Sequence, residues 1–459
     1  MMTGKKNIIY LLFFILGFSF ISQNSYSQDL SEEFTKDKVS VKFHTSESGG
    51  SKKLANLYIK KKGWRQGYNE RDDGKGDFFV SIGTSGIQSD NSDDDFGDAR
   101  QDAYDVALLH AKKSFIKYLG QRLSTQIASE RKQGKYATPP KIKSEMEKFL
   151  DELDTFPEGE KVRSLINLEL DKALKDAGYE DPTTPEAIEE AQKIIKKKDF
   201  QKTIEASAEH RLAGFQTKKI FEDSDGKKGS ITVVGIWSEK LNLLADALVT
   251  GGDSPTGTPK QSLYDQIPGT DDGELSKWMF SYGASMTTNE NGLASLISYG
   301  HASPLFDDVD EWVDACDQAI LQAESFIVVF ASETATYKEN LGKSRSTDIF
   351  EKESKVAEMK TNTKAVKDYY KQLESSGSEY LSGIFQLNSV ELAYSSGAIE
   401  CVAAVGWSTD SSKSGQNMKK IQKEAEKIEN QTTETTESTS DSSSGTAYEG
   451  ESDEASDDF

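Results

Sequence analysis

The sequence predicts an α+β fold built from two βαββ units, each an antiparallel-rich sheet covered by a helix, with a helical insertion in the first unit. Two observations lead to this prediction. Two similar segments with helical periodicity occur in the chain, "DAYDVALLHAKKSFIKY" from Asp102 and "DACDQAILQAESFIVVF" from Asp314. One strand before each helix and two strands after it also match between the copies. Because the matches follow in the same order, we expect one sheet-and-helix unit to occur twice.

The strand that precedes each helix ends at a glycine. It reads "FFVSIGTSGI" in the first copy and "SLISYGHASP" in the second, which pairs Ser81 with Ser298 and Gly83 with Gly300. Short alternating runs followed by glycine are typical of a strand that ends in a turn.

The repeated helix has an apolar stripe in both copies, with a small residue midway that allows close approach to a sheet. The stripe consists of Tyr104, Leu108, Ala111, Phe115 and Tyr118 in the first copy, and of Cys316, Ile320, Ala323, Ile327 and Phe330 in the second. We expect each stripe to fill the interior of its own unit.

A hairpin follows each helix. A shift of 170 residues aligns Phe215 with Phe385 and Trp237 with Trp407, and Asp-Gly and Ser-Gly pairs supply the turns. In the first copy, the insertion at 121–200 reads as helical, and its last helix has Thr184 as N-cap. In the second copy, a shorter helical stretch is predicted from about Thr347 to Glu374.

The domain plan follows from these matches and from shifts in composition. It consists of a signal peptide (1–27), a flexible N-terminal segment (28–54), the first βαββ unit with its insertion (55–248), a Gly/Pro/Ser/Thr-rich linker (249–275), the second unit with a C-terminal helix (276–430) and a disordered acidic tail rich in Ser and Thr (431–459).

The first residues predict export. Lys5 and Lys6 precede an apolar stretch at 8–20, and Ser25 and Ser27 precede a cleavage point before Gln28. The stretch is short for a bilayer span, and no later segment is apolar for long enough, so no stable membrane insertion is expected after cleavage. We expect a periplasmic or secreted protein.

The charge makes nucleic acid an unfavourable partner. The chain carries 55 Lys and Arg against 77 Asp and Glu, so its formal net charge is 55 − 77 = −22. Such a field repels nucleic acid and anionic lipid headgroups. An envelope or extracellular protein partner remains compatible with it.

The motifs "KGWRQGYNERDDGKGDFFVSIG", "DAYDVALLHAKK" and "ISYGHA" resemble an uncharacterised family of secreted bacterial proteins. More distantly, the strand, the Ala-rich helix and the Trp-ended hairpin are similar to periplasmic domains of small envelope lipoproteins and of flagellar ring accessory proteins. The resemblance covers about residues 55–120, 203–245 and 276–408. It implies a non-enzymatic assembly or binding domain associated with the envelope.

The two cysteines have two interpretations. Cys316 lies early in the second helix and Cys401 at the start of the last strand, and these positions fall at the same end of a βαββ unit. An exported protein permits a disulfide there. The alternative is a pair of buried thiols, because Cys316 lies on the apolar stripe.

The remaining candidates are weaker. Trp237 and Trp407 are either partner-contact aromatics or, more often for a repeated Trp, packing residues. Asp90, Ser92 and Asp94 alternate as calcium ligands would, but the loop lacks the expected glycine and glutamate. The four histidines are scattered, and His301 is expected at the surface or at a loop end. No catalytic residue, metal set or cofactor is predicted.

These observations favour a non-catalytic exported binding or assembly protein of the bacterial envelope. A first alternative is a hydrolase of envelope or extracellular polymers that uses a carboxylate pair, which acidic residues distant in sequence can form. A second alternative is calcium-dependent adhesion.

Overall fold

A hairpin, a long helix and a second hairpin follow one another in each half of the chain. The computed structural model describes residues 38–39, 50–71, 76–90, 93, 95–134, 158–209, 212–224, 228–271, 273–343, 382–394, 397–413 and 449–451. The predicted signal peptide, the helical stretch from Thr347 to Glu374, and calcium candidates Ser92 and Asp94 lie outside these residues.

The described strands are β1 (Lys38–Val39), β2 (Gly67–Asn69), β3 (Phe78–Ile87), β4 (Gln216–Ser224), β5 (Gly229–Ser238), β6 (Gly283–Thr288), β7 (Ala294–Ala302), β8 (Phe385–Tyr394), β9 (Ile399–Ser408) and β10 (Glu449–Glu451). The α-helices are α1 (Gly50–Lys61), α2 (Phe96–Lys132), α3 (Glu158–Asp176), α4 (Pro185–Ile195), α5 (Lys198–Glu209), α6 (Glu239–Thr250), α7 (Leu275–Met279) and α8 (Val309–Lys343).

The two sheets have the same strand order. The first sheet runs β10-β4-β5-β3-β2 and the second runs β1-β8-β9-β7-β6. Four antiparallel strands form the body of each sheet. A short fifth strand is added at one edge: β10 pairs with β4 in the first sheet, and β1 pairs with β8 in the second. The predicted α+β fold with two similar sheet-and-helix units is therefore confirmed. We call β2–β5 with α2 the N-terminal module, and β6–β9 with α8 the C-terminal module.

One glycine in each module allows the long helix to lie on the sheet. A Cβ atom on Gly83 in β3 would overlap the Ala107 carbonyl oxygen in α2. A Cβ atom on Gly300 in β7 would overlap the Ala319 carbonyl oxygen in α8. The backbones of strand and helix therefore touch in both modules, and the sequence pairing of these glycines coincides with equivalent positions in space.

The sheet register corrects one part of the sequence alignment. In both hairpins the register shifts at the same place, between Thr217 and Lys219 and between Gln386 and Asn388. These bulges are 169 residues apart, whereas the tryptophans that end β5 and β9 are 170 apart. The single shift of 170 was therefore wrong by one residue for β4 and β8, because the second hairpin has one more residue between its bulge and the start of its second strand.

Both faces of the first sheet are covered. Phe79 packs on Phe115 of α2, with ring centroids 4.8 Å apart. Its neighbour Phe78 points to the other face, since successive strand residues alternate, and packs on Trp64, just after α1. The second face of this sheet is therefore covered by α1 and by the residues that follow it.

The described part of the insertion is mainly helical, as predicted. Helix α2 continues without interruption to Lys132, and α3, α4 and α5 follow. Thr184 caps α4 by accepting a hydrogen bond from the Ala187 amide, as the sequence predicts. The fully buried Arg131 ties α2 to α3 through hydrogen bonds to Asn167 and an ion pair with Asp171.

The linker between the modules is fixed to the C-terminal sheet. Thr256 forms a β-bridge with Leu293, and the Gly257 amide donates to the Gly292 carbonyl oxygen. The described residues from Lys38 onward belong to one compact body. In this part of the chain, no helix combines the length and apolarity that a bilayer crossing requires.

Candidate functional site

A disulfide joins Cys316 in the first turns of α8 to Cys401 in β9. Of the two interpretations of the cysteines, the structure therefore agrees with the disulfide and not with two free thiols. Both residues pack with a small cluster of Ala302, Trp312 and alanines of α8 and β9. The bridge fastens the beginning of α8 to its sheet.

The two repeated tryptophans face the protein interior. Trp237 is 9% exposed and Trp407 is 1% exposed. Each indole nitrogen donates to a backbone carbonyl oxygen at the equivalent place, that of Ala213 or that of Ser382. These contacts fit the packing interpretation, because buried indoles leave no surface for a partner.

His301 was expected at the surface or at a loop end; it is buried, one residue before β7 ends, so the surface position was wrong. The end of β7 lies beneath other residues, and His301 Nε2 contacts the Ser281 carbonyl oxygen at 2.6 Å. His110 is partly buried, and its Nδ1 contacts the Thr84 carbonyl oxygen. Within the described residues, no three His, Cys, Asp or Glu side chains converge as metal ligands. Asp90, the described member of the calcium candidates, donates its amide to Asp93.

A fully buried arginine at the start of α2 connects the two modules. The Arg100 guanidinium makes two parallel contacts to the Glu222 carboxylate of β4, at 2.8 and 2.9 Å. It also binds Glu400 of β9 at 2.7 Å, the Tyr394 hydroxyl at 3.0 Å and the Met279 carbonyl oxygen at 2.6 Å. All five guanidinium N–H groups can thus be satisfied, which a buried arginine requires. We call Arg100, Glu222, Glu400, Tyr394 and His301 the junction cluster.

The second carboxylate of the cluster has further partners. Tyr394 donates its hydroxyl hydrogen to Glu400, and His301 Nδ1 lies 3.4 Å from the same carboxylate. The first turn of α2 packs closely here, because a Cβ atom on Gly97 would overlap the Ser303 hydroxyl oxygen.

Burial and charge act in opposite directions on the two carboxylates. Burial raises the pKa of Glu222 to about 7, and the attraction of Arg100 offsets only part of this rise. Burial also pushes the pKa of Glu400 upward, but Arg100 and His301 outweigh it and lower that pKa to about 2. The arrangement favours the ionised form of Glu400 and brings the pKa of Glu222 close to neutral pH.

An aromatic stack lies beside the cluster. The Tyr282 ring stacks on His301 at 3.9 Å and on Tyr104 of α2 at 5.0 Å. The Tyr104 hydroxyl contacts Thr217, while its counterpart in the alignment, Cys316, is bridged to β9. The two residues therefore hold equivalent helix positions but different surroundings, since Tyr104 reaches across to the other module.

Two charges of the junction cluster, those of Arg100 and Glu400, have no charged counterpart in the other copy, whereas Glu222 corresponds to Glu391 in β8. The two long helices align at an offset of 212 residues, which places Trp312 at the position equivalent to Arg100. Strands β5 and β9 align at an offset of 170, which places Ser230 at the position equivalent to Glu400. Comparing the two copies could have singled out both residues, because each is charged where its counterpart is uncharged. The sequence could not show that they meet.

A second feature lies on the outside of α8. Large apolar side chains are exposed around its first turn, whereas Trp312 on the same turn is buried. Several aspartates surround them.

The comparisons with known proteins concern an uncharacterised family. Residues 159–250 match a domain of unknown function, DUF6844. This segment contains the insertion helices α3–α5, the β4–β5 hairpin and α6. The match supports the resemblance to an uncharacterised family.

A solved structure of a hypothetical protein from Francisella tularensis is similar to 81% of this chain and 94% of its own. Its TM-score is 0.47 and its sequence identity is 15%. No curated protein matches the sequence.

Proposed function

We propose that the chain is a non-catalytic, exported binding or assembly protein of the bacterial envelope, whose sheets accept extended peptide segments at their edges. The observation behind this proposal is the short fifth strand on each sheet. Strand β10 pairs with β4, and β1 pairs with β8. Since β4 and β8 are equivalent strands, the same edge takes an added strand in both modules.

Strand addition is a general mode of peptide recognition, in which main-chain hydrogen bonds provide affinity. An edge strand presents a row of N–H and C=O groups ready for such pairing. In β10, Gly450 lies opposite Glu222 of the junction cluster. The prediction that the whole tail is disordered was wrong for Glu449–Glu451.

The similarity of the two modules also supports a structural scaffold rather than a catalytic site that occurs twice. We infer that they arose by duplication of one sheet-and-helix unit, because strand order, bulge and glycine contact agree in both. Arg100 and Glu400, whose charges are not repeated, lie at the junction together with Glu222, and none of the three side chains has exposed surface.

The hydrolase alternative requires two close carboxylates that substrate can reach. Glu222 and Glu400 are close because both bind Arg100, but they are sealed from solvent. This arrangement supports a structural role for the pair.

The test uses the full chain carrying Glu449→Pro and Gly450→Pro. Proline removes an N–H and fixes φ, and because neighbouring N–H groups point to opposite sides, the pair prevents β10 from docking. A labelled peptide of residues 445–455 is then titrated against this variant and the unaltered chain. We expect at least tenfold tighter binding to the variant, whose β4 edge is vacated.

The control is the same peptide carrying both prolines, which we expect not to bind. Equal binding of both peptides, or no binding of the unaltered peptide to the variant, contradicts strand acceptance at β4. Fractionation of the producing bacterium tests the location, with an envelope or extracellular protein beginning at Gln28 as the expected result.

A further inference from the structure

Exposed apolar side chains are concentrated at the beginning of α8. Of eight large apolar residues exposed in the described part of the chain, four lie within nine consecutive positions. They are Leu305, Phe306, Val309 and Val313, with 45%, 39%, 48% and 43% of their surface exposed. We call these four residues the α8 patch.

The patch occupies the outer side of a turn whose inner side is packed. Val309 and Val313 are four residues apart and therefore neighbours on the helix surface. Trp312, one position before Val313, points inward and packs against Ala315 and Ala319. The exposed valines are thus not needed to fill the core of their own module.

Hydrogen bonds and the disulfide fix the backbone beneath the patch. The Trp312 indole donates to Asp307 at 3.1 Å, and Asp308 accepts from the amides of Asp310 and Glu311 at 3.1 Å. The Cys316–Cys401 disulfide fixes the next turn to β9. A surface that is already ordered loses little conformational entropy when a partner binds.

Acidic residues surround the patch. Asp307, Asp308, Asp310 and Asp314 are all exposed, and no Lys or Arg occurs between His301 and Lys338. Such a surface repels a second copy of itself and an anionic lipid surface. It complements a partner with apolar residues at its centre and basic residues at its rim.

We propose that the α8 patch is a docking surface for a basic amphipathic helix of another protein. Apolar anchors on such a helix would cover the patch, while its Lys and Arg side chains would meet the surrounding aspartates. This mode corresponds to an amphipathic helix that lays its apolar face on an exposed apolar surface. The inference adds a surface and a partner chemistry to the proposed binding function, and it concerns a different element from the β4 edge.

The probe is a synthetic 18-residue amphipathic helix with Leu on one face and Lys on the other. Its binding to the full chain is measured by fluorescence anisotropy at low and at physiological salt. The test variant is Phe306→Ser/Val313→Ser, which removes apolar surface without changing charge. The matched control is Leu57→Ser/Leu243→Ser, since both leucines are exposed elsewhere.

We expect the test variant to bind the Lys probe at least tenfold more weakly, and the control to stay within twofold of the unaltered chain. A second variant, Asp310→Asn/Asp314→Asn, should weaken binding and reduce its salt dependence. Equal affinity of the test variant and the control overturns the proposal, because the probe then binds the acidic protein without using the patch.

Two further measurements test whether an acidic helix or a membrane surface binds the α8 patch instead. A probe with Glu in place of Lys should not bind, and binding equal to that of the Lys probe contradicts the charge argument. Vesicles of phosphatidylcholine should not retain the chain; retention that Phe306→Ser/Val313→Ser abolishes overturns the proposal in favour of a membrane surface. A failed strand-peptide titration leaves these results unaffected, because that experiment reports on β4 alone.

Discussion

Arg100 and Glu400 are separated by 300 positions in the chain, yet an ion pair of 2.7 Å joins them in the protein interior. The arginine belongs to the helix of the N-terminal module and the glutamate to the sheet of the C-terminal module. The second glutamate, Glu222, binds the same guanidinium from the first sheet. The two modules therefore meet around one buried positive charge.

Removal of that charge should destabilise the protein strongly. Arg100→Met leaves Glu222 and Glu400 buried without their cation, and breaking a buried ion pair in this way costs about 3–5 kcal/mol. Chemical denaturation should show this loss in the free energy of unfolding. The control is Lys193→Met, which breaks only the exposed contacts to Glu189 and Glu190 and should leave the free energy of unfolding almost unchanged. Equal effects would show that the junction contributes nothing beyond a surface pair.

Replacement of all three charges should be tolerated far better than replacement of one. In Arg100→Met/Glu222→Met/Glu400→Met, no charge is left unpaired, and apolar side chains of similar volume often substitute for a buried ionic triad without loss. We expect the triple variant to recover at least half of the stability that Arg100→Met loses. A triple variant less stable than the single variant would show that the polar contacts themselves are required.

The carboxylates predict a characteristic pH dependence of stability. The folded state holds the proton of Glu222 more tightly than the unfolded state does, because its pKa rises from 4.5 to about 7. This group's contribution to stability is therefore lost as the pH rises from about 4.5 to 7. The lowered pKa of Glu400, about 2, gives a contribution that is present above about 4.5 and lost as the pH falls towards 2.

Glu222→Gln should flatten the decline in stability between pH 5 and 7. Thermal unfolding across this range measures the effect against the unaltered chain. The matched control is Glu391→Gln, because Glu391 occupies the equivalent position of β8 and is not fully buried. An unchanged slope in Glu222→Gln would assign the pH dependence to other groups.

The glycine contacts predict paired effects in the two modules. Gly83→Ala and Gly300→Ala each place a Cβ atom against helix backbone, which can yield only if the helix moves away from its sheet. We expect each variant to lose about 3 kcal/mol or more of unfolding free energy, at the upper end of overpacking effects. Gly273→Ala is the control, since no heavy atom lies within 4 Å of its added Cβ. A large loss in only one variant would refute the equivalence of the modules.

The disulfide should stabilise the C-terminal module. Cys316 and Cys401 are 85 positions apart, and closing a loop of this length destabilises the unfolded chain by about 4.5 kcal/mol in the chain-entropy account. We expect Cys316→Ala/Cys401→Ala to lower the unfolding free energy by a few kcal/mol. Addition of a reductant should reproduce the loss in the unaltered chain and leave the double variant unchanged. A reductant effect of equal size in both proteins would contradict this assignment.

The sequence by itself determined two similar sheet-and-helix units, their helices and hairpins, the glycines under both long helices and the Thr184 cap. These features are local, because helix and strand periodicities and turn residues act over a few positions. The tertiary structure alone decided that Arg100 meets two glutamates, that His301 is buried and that Tyr104 faces the other module. Those contacts arise only when two separately patterned faces pack together, and no spacing along the chain encodes which charged residues of each face become neighbours.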